Sequence, residues 1–455
     1  MKSTGVVICN YNKSSYVVNC IQSVLESKNQ DFDIFVVDNA STDDSVEQIK
    51  KHFSPDDVTL FVNESNLGGS GGFNTGIRYV VDKGYRYVWC LDNDVLVDEN
   101  AFHELQVFLD NNESVGMAGS KIYHMQQPDI VQQYGITIDF NLFCVEANHL
   151  DELEDGSMPP IVYSDAVAAC SVLVRCSLIR EIGPMPEENF LYWDDTEWGM
   201  RCNLAGYKVA SVGSSMVLHE MGAKKEEINT FATYYAWRNW IVFFMKYVSE
   251  DKLESMCNTF LKSVFEIIYS SKYHGEENKA NTVMAAYDDA IHLNMGKASA
   301  DKIFVLDKNE TKLYSFMKDK KAITIIPATH YEFSLYIKEK LERINPDTVI
   351  TILTPDENSS NIMELNNLHS SKNHTVLRIC DFIFGLDDLS CQDAYIDLDF
   401  NLFSTKEEAL MILNYLYSRE SFIFSQKPLF LRLVKKARET FYPGCHATEE
   451  KDIYI

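Results

Sequence analysis

Two carboxylates separated by one residue close the apolar run Val88-Trp89-Cys90-Leu91: Asp92 and Asp94, with Asn93 between them. An Asp-x-Asp at a strand end can offer one or two oxygens to a hard divalent cation while leaving positions open for phosphate oxygens. Such a cation neutralises the charge that builds on a departing diphosphate. Three more acids, Asp194, Asp195 and Glu197, fall within four residues, flanked by Trp193 and Trp198. Burying them is costly unless a cation or substrate satisfies them, and one of them can serve as a general base. A further apolar run, Val212 to Leu218, ends at His219, whose ring nitrogen can complete a metal site.

Ahead of all these groups lies Asn66-Leu67-Gly68-Gly69-Ser70-Gly71-Gly72-Phe73-Asn74-Thr75-Gly76. Its glycines let backbone approach a ligand and expose N–H groups at a helix start, where a phosphate or sugar can rest. The spacing is neither GxxxxGK[ST] nor GxGxxG, and no lysine follows, which counts against a P-loop or a dinucleotide site. Earlier, Ile34 to Asp38 reads as a buried strand ending in an acid that can accept hydrogen bonds from a base or a ribose, with Ser41 and Asp43 suited to capping the next helix.

These residues must be positioned by a scaffold, and the first 230 or so residues supply the pattern of one. Short apolar runs, Gly5 to Cys9, Ile34 to Asp38, Thr59 to Val62 and Tyr87 to Asp92, alternate with helix-like stretches, which predicts an α/β sheet wound by crossover helices. In open α/β sheets ligands gather at the carboxyl ends of strands, where the unusual residues here concentrate. From about Thr230 to Gly296 the pattern is helical and rich in aromatics, including Phe231, Trp237, Trp240, Phe243 and Phe244, suited to helix packing or to a wall against a sugar. Beyond residue 298, Ile303 to Leu306, Ala322 to Ile326, Val349 to Leu353 and Ala394 to Leu398 read as strands around the helix Tyr331 to Ile344. The expected domains are therefore 1–230, a helical segment 231–298, and a smaller α/β domain 299–455 available for dimerisation, acceptor or membrane contact.

With 455 residues the chain affords several cores. Its formal net charge of -26 repels nucleic acid and anionic membrane, so an anionic substrate needs local help from a cation or backbone N–H groups. The helix Pro428 to Phe441 stands apart, with Arg432, Lys435, Lys436 and Arg438 beside Leu429, Phe430, Leu433 and Val434: a basic amphipathic face fit for a membrane surface, or for packing on its own domain or a second subunit. The eleven cysteines show no CxxC, and Cys170 and Cys176 fall in an apolar run that reads as a buried strand. No apolar run approaches a membrane span and no signal-peptide pattern opens the chain, so the cytoplasm is the expected compartment.

Taken in order, Val7-Ile8-Cys9-Asn10-Tyr11-Asn12, Val36 to Ser41, Asn66 to Gly76, Leu91 to Asp94 and Trp193 to Glu197 resemble the family 2 glycosyltransferases over about residues 4 to 245, and within them the galactofuranosyltransferase and rhamnosyltransferase branch. The resemblance implies a GT-A catalytic domain, Rossmann-like with a mixed sheet, and inverting transfer of a hexose from a UDP- or dTDP-sugar to a glycan or lipid-linked acceptor. It implies that Tyr11 and Asp38, with Asn12 and Asn39 beside them, line the base and ribose, and that Asn66, Gly68, Gly69 and Asn74 border the diphosphate and sugar. Asp92 would touch ribose or metal, Asn93 and Trp193 would complete the donor pocket, and Asp94 and His219 would ligate Mn²⁺ or Mg²⁺. Asp195 would be the base, with Asp194 and Glu197 as its acidic neighbours. Asp194 stands where Glu is usual in the family and Glu197 where Asp is usual, which leaves the charge in place. Two other classes compete: a nucleotidyltransferase, which would want basic residues in the Gly-rich stretch, and a non-catalytic sugar-binding module, which would not need the acids at 194, 195 and 197.

Overall fold

Runs of β-branched and aromatic residues with no polar interruption form strands that can be buried on both faces, and four of them make the centre of the molecule. The computed structural model describes residues 2–220, 229–306, 312–327, 331–353, 374–380, 393–398 and 400–441. Strands β1 (Thr4–Asn10), β2 (Phe32–Asp38), β3 (Val58–Val62) and β4 (Tyr87–Asp92) are parallel, ordered β4-β1-β2-β3. Helices α1 (Ser14–Leu25), α2 (Ser45–His52) and α3 (Gly68–Lys83) connect them. The register sets Asn10 opposite Asp38 and Cys9 opposite Asp92, so three polar strand ends share one edge of the sheet.

Beyond the turn Asn93-Asp94 the sheet becomes mixed. It continues through β5 (Val95–Val97), α4 (Ala101–Asn111), β6 (Val115–His124), β7 (Gln127–Gln133), the hairpin β8 (Ile136–Asp139) with β9 (Cys144–Ala147), β10 (Glu152–Leu153), β11 (Ile161–Ser164) and β12 (Ser171–Arg175). Strand β12 runs antiparallel to β4 and β6, and Cys170 and Cys176 flank it rather than lying within it. After α5 (Cys176–Ile182) and α6 (Asp194–Leu204), the long strand β13 (Lys208–His219) pairs with β5, β6 and β11 and carries His219 back to the end of β4. This mixed α/β sheet has the architecture expected of a GT-A domain.

The aromatic stretch is helical as expected: α7 (Phe231–Tyr247), α8 (Leu253–His274) and α9 (Glu277–His292) pack with Phe143, Phe243, Phe244 and Phe260 in one core. Farther on, β14 (Ala322–Ile326), β15 (Val349–Ile352), β16 (His374–Cys380) and β17 (Ala394–Asp397) form a second, parallel sheet with α10 (Lys312–Met317) and α11 (Tyr331–Ile344), closed by the antiparallel β18 (Leu402–Phe403). The strand expected at Ile303 to Leu306 is absent. Val305 makes an isolated bridge to Asn229, and Phe304 exchanges backbone and hydroxyl hydrogen bonds with Thr230 at the start of α7.

The helix expected from Pro428 is the second half of a 36-residue helix, α12 (Lys406–Phe441), with Pro428 inside it. Its apolar face is occupied: Phe430, Val434 and Ala437 are buried in the core shared with α7 and α8. Arg438 is buried too, donating to the carbonyls of Met245 and Val248 and pairing with Glu250 at 3.2 Å, so it terminates α7 rather than facing a membrane. No helix among the described residues is long and apolar enough to cross a membrane.

Candidate functional site

The ends of β4 and β13 bring Asp92, Asp94 and His219 together, with one ligand atom from each within 4.8 Å of the others. His219 Nε2 lies 3.5 Å from Asp94 Oδ1 and 3.9 Å from Asp92 Oδ2. Two carboxylates and an imidazole are a donor set suited to Mn²⁺ or Mg²⁺. Asp94 is nearly buried, whereas the Asp92 side chain is 38% exposed. Burial and the Asp94 charge push Asp92 up to about 6. For Asp94 burial acts upward, but the hydrogen bond and charge of His219, with the Lys13 ammonium, hold it below the ordinary carboxylate value.

Lys13 pairs with Asp94 Oδ2 and has no counterpart among the sequence expectations. It follows Asn10-Tyr11-Asn12 directly, and only the parallel pairing of β1 with β4 brings it to the acids. Gln132 was equally invisible. Buried on β7, it meets His219 Nδ1 through Oε1 at 2.7 Å and His124 Nδ1 through Nε2 at 3.3 Å. An amide oxygen only accepts, so Nδ1 of His219 donates to Gln132, and Nε2 is the ring nitrogen that faces Asp92 and Asp94.

The second group of acids opens α6. Asp194 Oδ2 approaches Gly69, and Asp195 Oδ1 accepts from the Thr196 N–H at 2.6 Å and the Thr196 hydroxyl at 3.3 Å. Burial, then the Asp195 charge, lifts Asp194 to about 7; burial also raises Asp195 against the Thr196 and Ala169 N–H groups. The Asp92 charge contributes to the rise of Asp194, and the Asp195 charge to that of Asp92, so the two acidic groups share one field.

The approach to α6 is strained. Phe190, Tyr192 and Trp193 have φ of 64°, 63° and 65°, a left-handed backbone that costs each non-glycine residue about 1 kcal/mol or more. Helix α7 holds it there. Arg238 donates to the carbonyls of Asn189 and Gly296 at 2.8 and 2.7 Å, and Asn239 donates to those of Asn189, Leu191 and Tyr192 at 2.9, 2.8 and 3.1 Å. The strain is thus over-determined by its surroundings and lies next to two acids of raised pKa.

Several residues expected at the ligand have protein partners that tie the scaffold together. Glu197 is 1% exposed and carries ion pairs from Lys246 and Arg201, so it is unavailable as a base. Asp38 is fully buried, with Asn10 Nδ2 on one oxygen at 2.8 Å and the Ser41 N–H on the other at 2.9 Å. Asn93 donates to Asn10 at 2.7 Å, Asn12 accepts from the Thr42 N–H at 2.7 Å, and Asn39 ties Asn63, Asn66, Leu67 and Gly68 together. Asn74 lies inside α3, bonded both ways to Met185. Most glycines of the Gly-rich stretch are helical and buried: a Cβ on Gly76 would meet Val7 at 2.5 Å, so they bring α3 against the sheet. Gly68, at φ 81°, presses on the Phe190 carbonyl, and Gly69 donates to it at 2.7 Å, which locks the helix start to the strained loop. Tyr11, exposed at 43%, and the partly exposed Asp92, Gly69 and Trp193 remain accessible.

The parallel-centred α/β sheet thus gathers Asp-x-Asp and a histidine at its strand ends, with an acid pair of raised pKa at the start of α6. Residues 5–163 match the family described as Glycosyl transferase family 2. The chain is 25% identical over 228 residues to the dTDP-rhamnosyl transferase RfbF of Shigella flexneri, covering 49% of this chain and 70% of that protein. It is 28% identical over 150 residues to the glycosyltransferase GlyG of Streptococcus pneumoniae serotype 4, covering 33% and 48% respectively. The structure of GalNAc-T7 with UDP, GalNAc and Mn²⁺ superposes with a TM-score of 0.46 at 14% identity, over 56% of this chain and 50% of that one.

Proposed function

We propose that the chain is a metal-dependent, inverting glycosyltransferase that moves a hexose from a UDP- or dTDP-sugar to a hydroxyl of a glycan or lipid-linked acceptor, in cytoplasmic assembly of a bacterial surface polysaccharide. The observation that carries this reading is the convergence of Asp92, Asp94 and His219 within 4.8 Å of one another, in the same field as Asp194 and Asp195. The similarity to RfbF supports a deoxyhexose donor such as rhamnose, with galactofuranose as the neighbouring choice. Asp92, Asp94 and His219 would hold Mn²⁺ or Mg²⁺, which when bound supplies charge neutralisation for the leaving diphosphate. Tyr11 stacks against the base at the mouth of the cleft, Lys13 offers a cation beside the phosphates, and Asp195 accepts the proton of the acceptor hydroxyl as it attacks the anomeric carbon opposite the leaving group. Incubation with UDP- and dTDP-hexoses tests the reading: release of nucleoside diphosphate supports it, and release of pyrophosphate or of nothing refutes it.

Two further results are expected. Asp94→Ala removes an almost buried ligand together with the partner of Lys13, so Mn²⁺-stimulated turnover should fall by about a thousandfold, and full turnover of this variant in chelator would overturn the metal assignment. Gln132→Leu frees the His219 ring to rotate and change tautomer, and should weaken Mn²⁺ binding by about 10- to 100-fold. Titration calorimetry reads that loss directly, and unaltered affinity would remove Gln132 from the site.

A further inference from the structure

A cavity of about 540 Å³ adjoins the acid pair, between the strained loop, the hairpin strand β9 and helices α7 and α9. Thr196, whose hydroxyl bonds Asp195, forms part of its floor, and Trp193, Thr233 and Trp237 stand around it, with Lys279 at one side. Ala232, Thr233, Ala236 and Trp237 all come from α7, outside the segment that matches the family.

The rings are rigidly mounted. Trp237 packs edge-to-face on Trp240 at 5.2 Å, Trp240 anchors its own N–H on the Phe143 carbonyl at 2.6 Å, and Trp193 leans on Phe243 at 5.2 Å. The polar atoms tell a different story from the rings. Among the described residues the indole N–H groups of Trp193 and Trp237 and the hydroxyl of Thr233 have no protein partner, and all three residues line the cavity. Flat apolar faces with unspent donors beside them suit a ring that is apolar on its C–H face and hydroxylated at its rim; an alkyl chain would use the faces and leave every donor idle.

We propose that this cavity is the acceptor subsite and that it holds one sugar ring of the acceptor against Trp237, with Thr233 and the indole N–H groups taking its hydroxyls. The proposal rests on the glycosyltransferase reading above. It assigns to α7 two tasks at once: fixing the strained loop that carries the acids, through Arg238 and Asn239, and selecting the molecule presented to them, through Thr233 and Trp237.

The experiment titrates methyl glycopyranosides and methyl glycofuranosides into the full chain with UDP or dTDP and Mn²⁺, with 1-octanol as the alkyl-chain control, following tryptophan emission and saturation-transfer NMR. One or more glycosides should saturate and octanol should not. Thr233→Trp, which fills the cavity from a partly exposed position, and Trp237→Ala should each weaken that binding by about tenfold or more, Trp237→Phe should retain part of it, and the Kd of the nucleotide should stay unchanged. Octanol binding in place of glycosides, no glycoside binding to the wild-type chain, undiminished binding in Thr233→Trp, or nucleotide affinity falling with it would each overturn the proposal. Donor turnover is scored separately: a chain that binds glycosides here but never releases nucleoside diphosphate refutes the glycosyltransferase reading, not the sugar subsite.

Discussion

Asp195→Asn is expected to lower the rate of sugar transfer by about 10²- to 10⁴-fold and to leave the donor Kd unchanged. The amide keeps an oxygen for the Thr196 N–H and hydroxyl, so the start of α6 retains its geometry, but it can no longer take a proton. The same acids set the pH profile. Burial and the neighbouring charge lift Asp194 to about 7, and burial raises Asp195, so near neutrality the pair retains a proton that a general base must lose. Transfer should therefore rise with pH through about 7, and in Asp194→Asn, where the neighbouring charge is gone, that limb should move to lower pH. Rates at saturating donor across neutrality, for wild type and both variants, decide the matter. Wild-type transfer by Asp195→Asn, or a profile flat through neutrality, would discard the base assignment.

How much of this was legible in the sequence depends on the range of the interactions involved. Strands β1, β2 and β4 announce themselves because a parallel strand buried on both faces is largely apolar, and Tyr87–Asp92 and Ala322–Ile326 match the expected limits. Asp92, Asp94 and His219 were legible because each ends such a run. The polar residues between were harder to read, since an asparagine that binds a ligand and one that pins a loop have the same composition. Asn39 and Asn74 pin loops, and only their partners, Gly68 and Met185, reveal it. The Gly-rich stretch is ambiguous in the same way: glycine serves close approach to a ligand and close approach of helix to sheet equally well, and a Cβ at Gly72 or Gly76 would meet Cys9 or Val7. Lys13 and Gln132 reach the site through strand register across 81 and 87 residues, a separation over which no local pattern speaks. The basic face of α12 was visible, but its apolar side is consumed by packing and Arg438 by three partners on or just after α7.

Glu197→Ala is expected to destabilise the catalytic half of the chain by about 3–5 kcal/mol, a loss comparable with the whole stability of many domains. Glu197 accepts from Lys246 at 3.0 and 3.1 Å, Arg201 at 2.7 Å, Tyr247 at 3.1 Å and Asn189 at 3.1 Å, and both it and Lys246 are 1% exposed. Burial works to raise its pKa, but the Lys246 and Arg201 charges overcome it and bring it down from 4.5 to about 2. A folded value below the unfolded one means that the stabilisation is fully present above pH 4.5 and is lost as pH falls through about 2. Removing the carboxylate leaves the buried Lys246 ammonium with Glu188 at 3.5 Å, a longer and half-exposed contact. Replacing both partners, Glu197→Met with Lys246→Met, should recover most of the loss, because the desolvation cost of each ion disappears with it. Chemical denaturation of the single and double variants measures this, and a single variant as stable as wild type would show that the pair contributes nothing. The same data separate scaffold from chemistry on one helix. Glu197 and Asp195 are two residues apart on α6, yet Glu197→Ala should lower the unfolding midpoint whether or not substrate is present, whereas Asp195→Asn should lose transfer with the midpoint unmoved.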